Sequence, residues 1–220
     1  GIETPSLETT NELMRQCDLV LATGGGAMVN AAYSSGTPAL GVGVGNAVIT
    51  VDETADLDAA AEKIRISKTL DLAASCSSDN SVVLLDGIYD TMLDKLRAEG
   101  GYVCNAEEKT ALRNTLWDDE LHINTAMVAQ PPEKIAQMAG LTIPEGVQFF
   151  IVLEDGYGPE HPFSGEKLSV IMALYRAQDI DHAIELTRHI QAYQGQGHSC
   201  GIYSNNDHNI MKVAENTYTS

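Results

Sequence analysis

Three settings in this chain have residues of the right type and spacing for chemistry. They are a cysteine among small polar neighbours, clusters of glycine, and a histidine in a glycine-flanked turn. Cys76 lies in Ala74-Ser75-Cys76-Ser77-Ser78-Asp79, just before an apolar run. Small polar neighbours leave a thiol accessible and offer backbone N–H groups. A nucleophilic cysteine needs both access and a stabilised thiolate. The local pattern alone fits a nucleophile or a small buried residue. Cys17 and Cys200 sit in apolar patterns and read as inert core residues, while Cys104, after Tyr102-Val103, reads either way.

The glycine clusters offer backbone donors. Thr23-Gly24-Gly25-Gly26 falls between a strand-like and a helix-like segment, where free N–H groups can meet a phosphate or simply turn the chain. It is not G-x-G-x-x-G, because position 29 is Val, and no Gly-Lys-Ser/Thr follows to make a P-loop. Gly41-Val42-Gly43-Val44-Gly45-Asn46 is likewise no dinucleotide fingerprint and fits a turn of closely approaching backbones. Gly195-Gln196-Gly197-His198 ends a helix-like segment and carries an imidazole, which titrates near neutral pH. No C-x-x-C pair occurs, so no metal site is expected.

The elements that must position these groups alternate along the chain. Residues 6–17 suit a helix with Leu7, Leu13 and Met14 as core contacts, followed by a strand at 19–22 and a small-residue helix at 27–34. Strands are expected at 38–42 and 48–51 around the glycine-rich turn. Thr54 or Asp56 caps a helix whose stripe is Leu57, Ala61, Ile64 and Ile66. Further strands are expected at 81–85, 148–153, 170–175 and 200–203. Helices are expected around 88–96 (closed by Gly100-Gly101), 112–116, 135–139 and 180–190, with another beginning at Ile210 and running to the last residue. Such alternation predicts an α/β fold with a largely parallel sheet.

Composition bounds the function. The 220 residues carry 31 Asp+Glu against 13 Lys+Arg, a net charge of −18, with 44% hydrophobic residues. That supports a core and argues against disorder. A nucleic-acid partner would need basic residues to neutralise phosphates, and here they are few and scattered. The longest apolar run, Phe149 to Leu153, is far too short for a bilayer span. The first residues show no basic segment followed by an apolar core. A cytoplasmic protein without nucleic-acid or membrane partners is expected.

Several blocks in order carry a family resemblance: ATGGGAMVNAAYSSGTPALGVGVGN at 22–46, SKTLD at 67–71, SCSSDNSVV at 75–83, GEKLS at 165–169 with ALYRAQD at 173–179, and GQGHSCGIYS at 195–204. Together they resemble the aldehyde dehydrogenase superfamily, in its coenzyme-A-acylating branch, over nearly the whole chain. The resemblance implies that Cys76 is the catalytic thiol and that His198 lies near it. It implies that Glu166 holds the ribose beside the nicotinamide. Thr23, Gly24 and Gly25 then line the cofactor near its nicotinamide end, and Asn46 with the glycines before it forms the branch's own glycine-rich segment. The implied cofactor is NAD or NADP. Coenzyme A is the implied co-substrate, a small aldehyde the substrate, and a homo-oligomer the assembly.

Hydrolytic members of the superfamily carry a general-base glutamate before the cysteine, and alignment puts that position at Val42. A valine cannot take a proton from water, so an enzyme thioester would wait for the thiol of coenzyme A. Two departures stand out: Leu72-Ala73 where the family often has Asn-Gly, and Val170 where it usually has Pro. Lys68, His161 and Phe163 are expected near the site without assigned jobs. Family members are about twice this length. The resemblance therefore reads residues 1–40 as the last part of a cofactor domain and 41–220 as an incomplete thiol-bearing domain. The chain could equally come from a two-domain aldehyde–alcohol dehydrogenase. A hydrolytic aldehyde dehydrogenase and a non-catalytic scaffold with the same fold are further alternatives.

Overall fold

The structure is a computed structural model and describes residues 4–219. The chain divides into two compact units between Val44 and Gly45, each described here by itself.

The first unit runs through α1 (Leu7–Gln16), β1 (Val20–Thr23), α2 (Gly26–Tyr33) and β2 (Ala39–Val42). A capping box starts α1, because Ser6 Oγ accepts the Thr9 N–H while Thr9 Oγ1 accepts the Ser6 N–H. The two strands pair in parallel, Val20 opposite Ala39. The expected boundary at 40/41 falls inside β2, whose pairing with β1 keeps residues 39–42 in this unit. The core here is small: Met14, Val20, Ala22 and Ala32. The expectation for α1 fails at two positions, since Leu7 is 83% and Leu13 53% exposed. Only the Met14 side of the helix meets other elements of this unit.

The second unit holds β3 (Ala47–Val51), α3 (Leu57–Thr69), β4 (Asp79–Leu85), α4 (Tyr89–Ala98), β5 (Gly101–Val103), α5 (Ala106–Leu116), α6 (Pro132–Ala139), β6 (Phe149–Leu153), β7 (Ile171–Ala177), α7 (Ile180–Tyr193), β8 (Cys200–Tyr203) and α8 (Asp207–Asn216). Six strands form one sheet in the order β5-β6-β7-β4-β3-β8, every neighbouring pair parallel. The fold class is therefore α/β with a parallel sheet, as the alternation predicts. Parallel sheets are covered on both faces and read as continuous apolar runs. All seven residues of β4 are buried, as are the first four of β6.

The helices follow their caps. Asp56 Oδ1 accepts the Ala59 N–H and Asp179 Oδ1 the His182 N–H. In α3 the buried residues are Ala60, Ala61, Ile64 and Lys68. Ile66, expected in the stripe, is exposed, because two residues from Ile64 turn it about 200° round the helix. Gly100, at φ +90°, closes α4, but Gly101 begins the short edge strand β5 rather than ending the helix. The last helix starts at Asp207, capped by Asn206, and ends at Asn216 instead of running on; Ser220 lies outside the described residues. Thr219 bridges instead to Gly197.

One consequence of this topology matters most. In an all-parallel sheet the segments that enter the strands emerge at one end. Those entering β7, β4, β3 and β8 are 164–170, 75–78, 45–46 and 194–199. Four stretches far apart in sequence are thereby set side by side.

Candidate active site

The segment before β4 is a turn closed by Ser78 N–H to Ser75 O at 3.1 Å, with Cys76 and Ser77 at its centre. The hydroxyls of Ser75 and Ser77 are hydrogen-bonded at 2.9 Å, and Cys76 is exposed. The segment before β8 is a second turn. It needs left-handed backbone at Gly195 (φ +86°) and Gly197 (φ +84°), which glycine adopts without strain. It presents His198, whose Nε2 lies 3.2 Å from Cys76 Sγ. The other ring nitrogen, Nδ1, lies 2.9 Å from Ser199 Oγ. An imidazole in this position can take the thiol proton and return one later.

The segment before β3 lies between these two turns, and its residues have little room. A Cβ built on Gly45 would come 2.4 Å from the Cys76 carbonyl oxygen. One on Gly195 would come 2.5 Å from Asn46 Cβ. Glycine at 45 and 195 is thus a packing requirement at the thiol.

Glu166 reaches the same junction. Its Oε1 accepts the Gly45 N–H at 2.9 Å, and its own N–H donates to Gln194 Oε1 at 2.9 Å. Burial pushes the Glu166 carboxyl up, opposed by the Gly45 bond and the nearby Lys167. With Oε1 taken, Oε2 is left to accept from a ribose hydroxyl, so this carboxylate fits a nucleotide cofactor. Lys167 forms no surface ion pair with it. It is fully buried and donates to Phe163 O at 2.6 Å and Gly165 O at 2.9 Å, and burial holds its ammonium well below the ordinary lysine range.

Other expected residues fall elsewhere. Asn46 is 0% exposed, and its amide is spent on protein partners, so its side chain faces no ligand. Phe163 is a core residue packed edge-on to Trp117 at 5.0 Å. His161 pairs with Glu154 at 3.0 Å. Glu154, Asp155 and His161 bring ligand-type atoms within 4.8 Å of one another, but Lys109 sits 2.9 Å from Glu154 Oε1 and makes this an ion-pair cluster. Lys68 is buried at the end of α3, and burial lowers it to about 7 against the attraction of Asp79. Cys104 is buried and its thiol is pushed up to about 12, which makes it inert. Cys17, expected in the core, is exposed, and Cys200 is half-buried near Thr217 Oγ1 at 3.3 Å.

In the first unit, Thr23 ends β1 and Gly25 is the N-cap of α2, with no side-chain cap. A Cβ on Gly25 or Gly26 would meet nothing within 4 Å. The start of this helix is open backbone of the kind that receives a phosphate or a ring edge.

No family model matches the chain. An acylating sulfoacetaldehyde dehydrogenase of Cupriavidus necator is 44% identical over 212 residues, covering 96% of this chain and 43% of that protein. The crystal structure of an acetylating aldehyde dehydrogenase from Geobacillus thermoglucosidasius superposes with a TM-score of 0.96 at 35% identity, over 99% of this chain and 48% of that one. Over nearly its whole length the chain is homologous to acylating aldehyde dehydrogenases. It spans less than half the length of these relatives. A propionaldehyde dehydrogenase from Rhodopseudomonas palustris, solved with bound CoA and an acylated cysteine, aligns at 26% identity with a TM-score of 0.87, over 97% of this chain and 48% of that one.

In this chain the residues that replace the family's usual Asn-Gly carry backbone strain. Asp71, Leu72 and Ala73 have φ of +50°, +51° and +59°. Three consecutive non-glycine residues in the left-handed region form the turn that leads into the Cys76 loop. Sequence reasoning also passed over Asn80 and Gln194, whose amides tie the loops together. A polar residue at the start of a buried strand is the one signal that could have drawn attention to Asn80.

Proposed function

We propose that the intact protein converts a short aldehyde, NAD or NADP, and coenzyme A to an acyl-CoA through a thioester on Cys76, reversibly. The observation that carries this reading is the exposed Cys76 thiol 3.2 Å from the His198 imidazole. His198 takes the thiol proton, and the Cys76 sulfur bonds to the aldehyde carbon, giving a thiohemiacetal. The backbone N–H of Cys76 holds its oxyanion, those of Ser77 and Ser78 being spent on Ser75; one such donor is worth about 3–4 kcal/mol. The nicotinamide, when bound, supplies the acceptor for the hydride that leaves this carbon. Glu166 orients the ribose through Oε2 while Gly45 fixes Oε1. For the first unit, the same reading gives Thr23, Gly24 and Gly25 to the cofactor, supported by the open start of α2.

The thioester then needs a nucleophile. Val42 stands where a hydrolytic member has its general base, so water is not activated. Once His198 has released the first proton to solvent, the thiol of coenzyme A attacks the carbonyl and loses its proton to the imidazole, and Cys76 leaves as thiolate. Acetaldehyde, sulfoacetaldehyde and succinate semialdehyde are the substrates proposed, with the 44% identical relative favouring the sulfonate. The family resemblance supports a cytoplasmic homo-oligomer.

The test compares these aldehydes with the intact protein, with and without coenzyme A and with each nicotinamide. Acyl-CoA formation that depends on coenzyme A and is lost in Cys76→Ala is expected. Equal nicotinamide reduction without coenzyme A, releasing free acid, would overturn the acylating reading. No turnover together with no preferential alkylation of Cys76 by iodoacetamide would point to a scaffold.

A further inference from the structure

We propose that Asn80 and Asn46 are positioning residues, a buried amide pair that holds both Glu166 and His198 in register with Cys76. This rests on the roles given above to those three residues.

An asparagine amide has two N–H donors and one oxygen. Asn80 is the second residue of β4, four positions after Cys76, and is 5% exposed. Its Nδ2 donates to Asn46 Oδ1 and, at 2.7 Å, to Gly165 O. Asn46 Nδ2 donates to Ser164 O at 2.7 Å and to Gln194 O at 3.1 Å. Every N–H of the pair is used, and apart from a longer bond from Asn46 Nδ2 to Ile190 O in α7 at 3.5 Å, the partners lie in segments entering the end of the sheet that carries the thiol.

The geometry works outward in two directions. The carbonyls of Ser164 and Gly165 immediately precede Glu166, and Lys167 adds its own bonds to Phe163 O and Gly165 O. Three successive carbonyls before Glu166 are therefore gripped by buried side chains. In the other direction, Gln194 O is the last carbonyl before the glycine turn that carries His198. Asn46 therefore anchors the imidazole's turn, and Asn80 ties Asn46 to the strand that follows the thiol. Stability alone does not require this wiring. Buried amides cost stability whenever they lose a partner, and apolar side chains could fill the space. What the amides provide is directional bonding to loop carbonyls that share no strand pairing.

The test uses the full-length enzyme with Asn80→Ala, Asn80→Asp, Asn46→Ala and the Asn46→Ala/Asn80→Ala pair. Asn80→Asp keeps the volume and removes both donors, so it serves if Asn80→Ala fails to fold. Each folded variant is read by melting temperature, by the rate at which iodoacetamide alkylates the Cys76 peptide, and by KM for the nicotinamide cofactor against kcat. Expected are a fall in Cys76 alkylation of about tenfold near neutral pH and a rise in cofactor KM of tenfold or more. The double variant should be within threefold of the worse single variant. Alkylation and cofactor KM within twofold of wild type, with only the melting temperature lowered, would overturn the proposal. So would effects that multiply in the double variant. Alkylation is independent of turnover, so a wild type that lacks acylating activity would refute the proposed function and still leave this pair tested.

Discussion

The Sγ of Cys76 and the Nε2 of His198 lie 3.2 Å apart, although 122 residues separate them in the chain. The parallel sheet makes this contact. Cys76 precedes β4, His198 precedes β8, and both strands pair with β3. Replacing His198 by Ala should leave the fold intact, since the ring sits on an edge turn. It should lower Cys76 alkylation at neutral pH and slow acyl transfer to coenzyme A. A positioned general base is worth about 10²–10⁴-fold. A single-turnover assay that starts from acylated enzyme measures the second effect alone. An unchanged transfer rate would limit His198 to orienting its loop.

The middle strand's entry supplies the next expectation. Gly45→Ala would place a methyl 2.4 Å from the Cys76 carbonyl oxygen and 2.7 Å from Cys76 Cβ. These are backbone and near-backbone atoms that cannot rotate away, so the thiol turn itself must shift. Overpacking of this kind costs about 1–3 kcal/mol, and in a chain of this size each kcal/mol lowers Tm by roughly 2–4 °C. Alkylation of Cys76 should fall at least tenfold. Gly87→Ala is the matched control, because its nearest neighbour would be Glu53 Cγ at an ordinary 3.5 Å. If both variants behave as wild type, the junction is looser than its packing implies.

Much of this was legible in the sequence, for physical reasons that differ by element. Strands β4, β6 and β7 are buried on both faces, so their apolar runs are continuous and unmistakable. β5 has three half-buried residues, the first of them the second glycine of Gly100-Gly101, and nothing in its pattern separates it from a helix stop. The glycine-rich stretch at 41–46 reads as one turn between neighbouring strands, yet β2 and β3 belong to different sheets. Periodicity marked Leu7, Leu13 and Ile66 as core, but whether a face is covered depends on elements far away in the chain. The same limit applies at the site. Local context singled out Cys76 and His198 separately, the family resemblance joined them, and the topology gives the distance. Asn46 went to the cofactor by resemblance, whereas its burial turns its amide toward protein carbonyls.

The left-handed turn at 71–73 predicts two different magnitudes at one site. Ala73 has φ +59° and is 1% exposed. A left-handed residue with a Cβ costs about 1–2 kcal/mol relative to glycine. Ala73→Gly recovers that, and loses about 0.8 kcal/mol of buried methyl and about 0.5–1 kcal/mol of chain entropy. The result should be close to neutral, within about 1 kcal/mol by urea titration. Ala73→Val adds a branched side chain to the same backbone and should cost more than about 2 kcal/mol. A destabilised glycine variant would show that the turn is not strained.

Buried lysines give the last expectation, which concerns pH. Lys68 falls from 10.5 to about 7 through burial, with Asp79 opposing, and Lys167 is also held well below its ordinary range. Lys68 is therefore largely neutral in the folded protein above about pH 7 and Lys167 shifts the same way, while both are protonated in the unfolded chain. Between pH 7 and the ordinary lysine value the unfolded state binds more protons, so stability rises with pH. Asp79 works in another window: burial raises it from 3.8 to about 6, so its contribution falls as pH rises from about 4 to 6 and is spent by neutrality. Thiols and tyrosines intrude at higher pH, so the clean interval is about pH 7 to 8.5. Lys68→Met should remove the part of the slope that Lys68 supplies, lowering the rise in unfolding free energy across that interval. Denaturant titrations at four pH values measure it. A slope unchanged in Lys68→Met would mean that Lys68 keeps its proton when buried, with the carboxylate of Asp79 compensating it throughout.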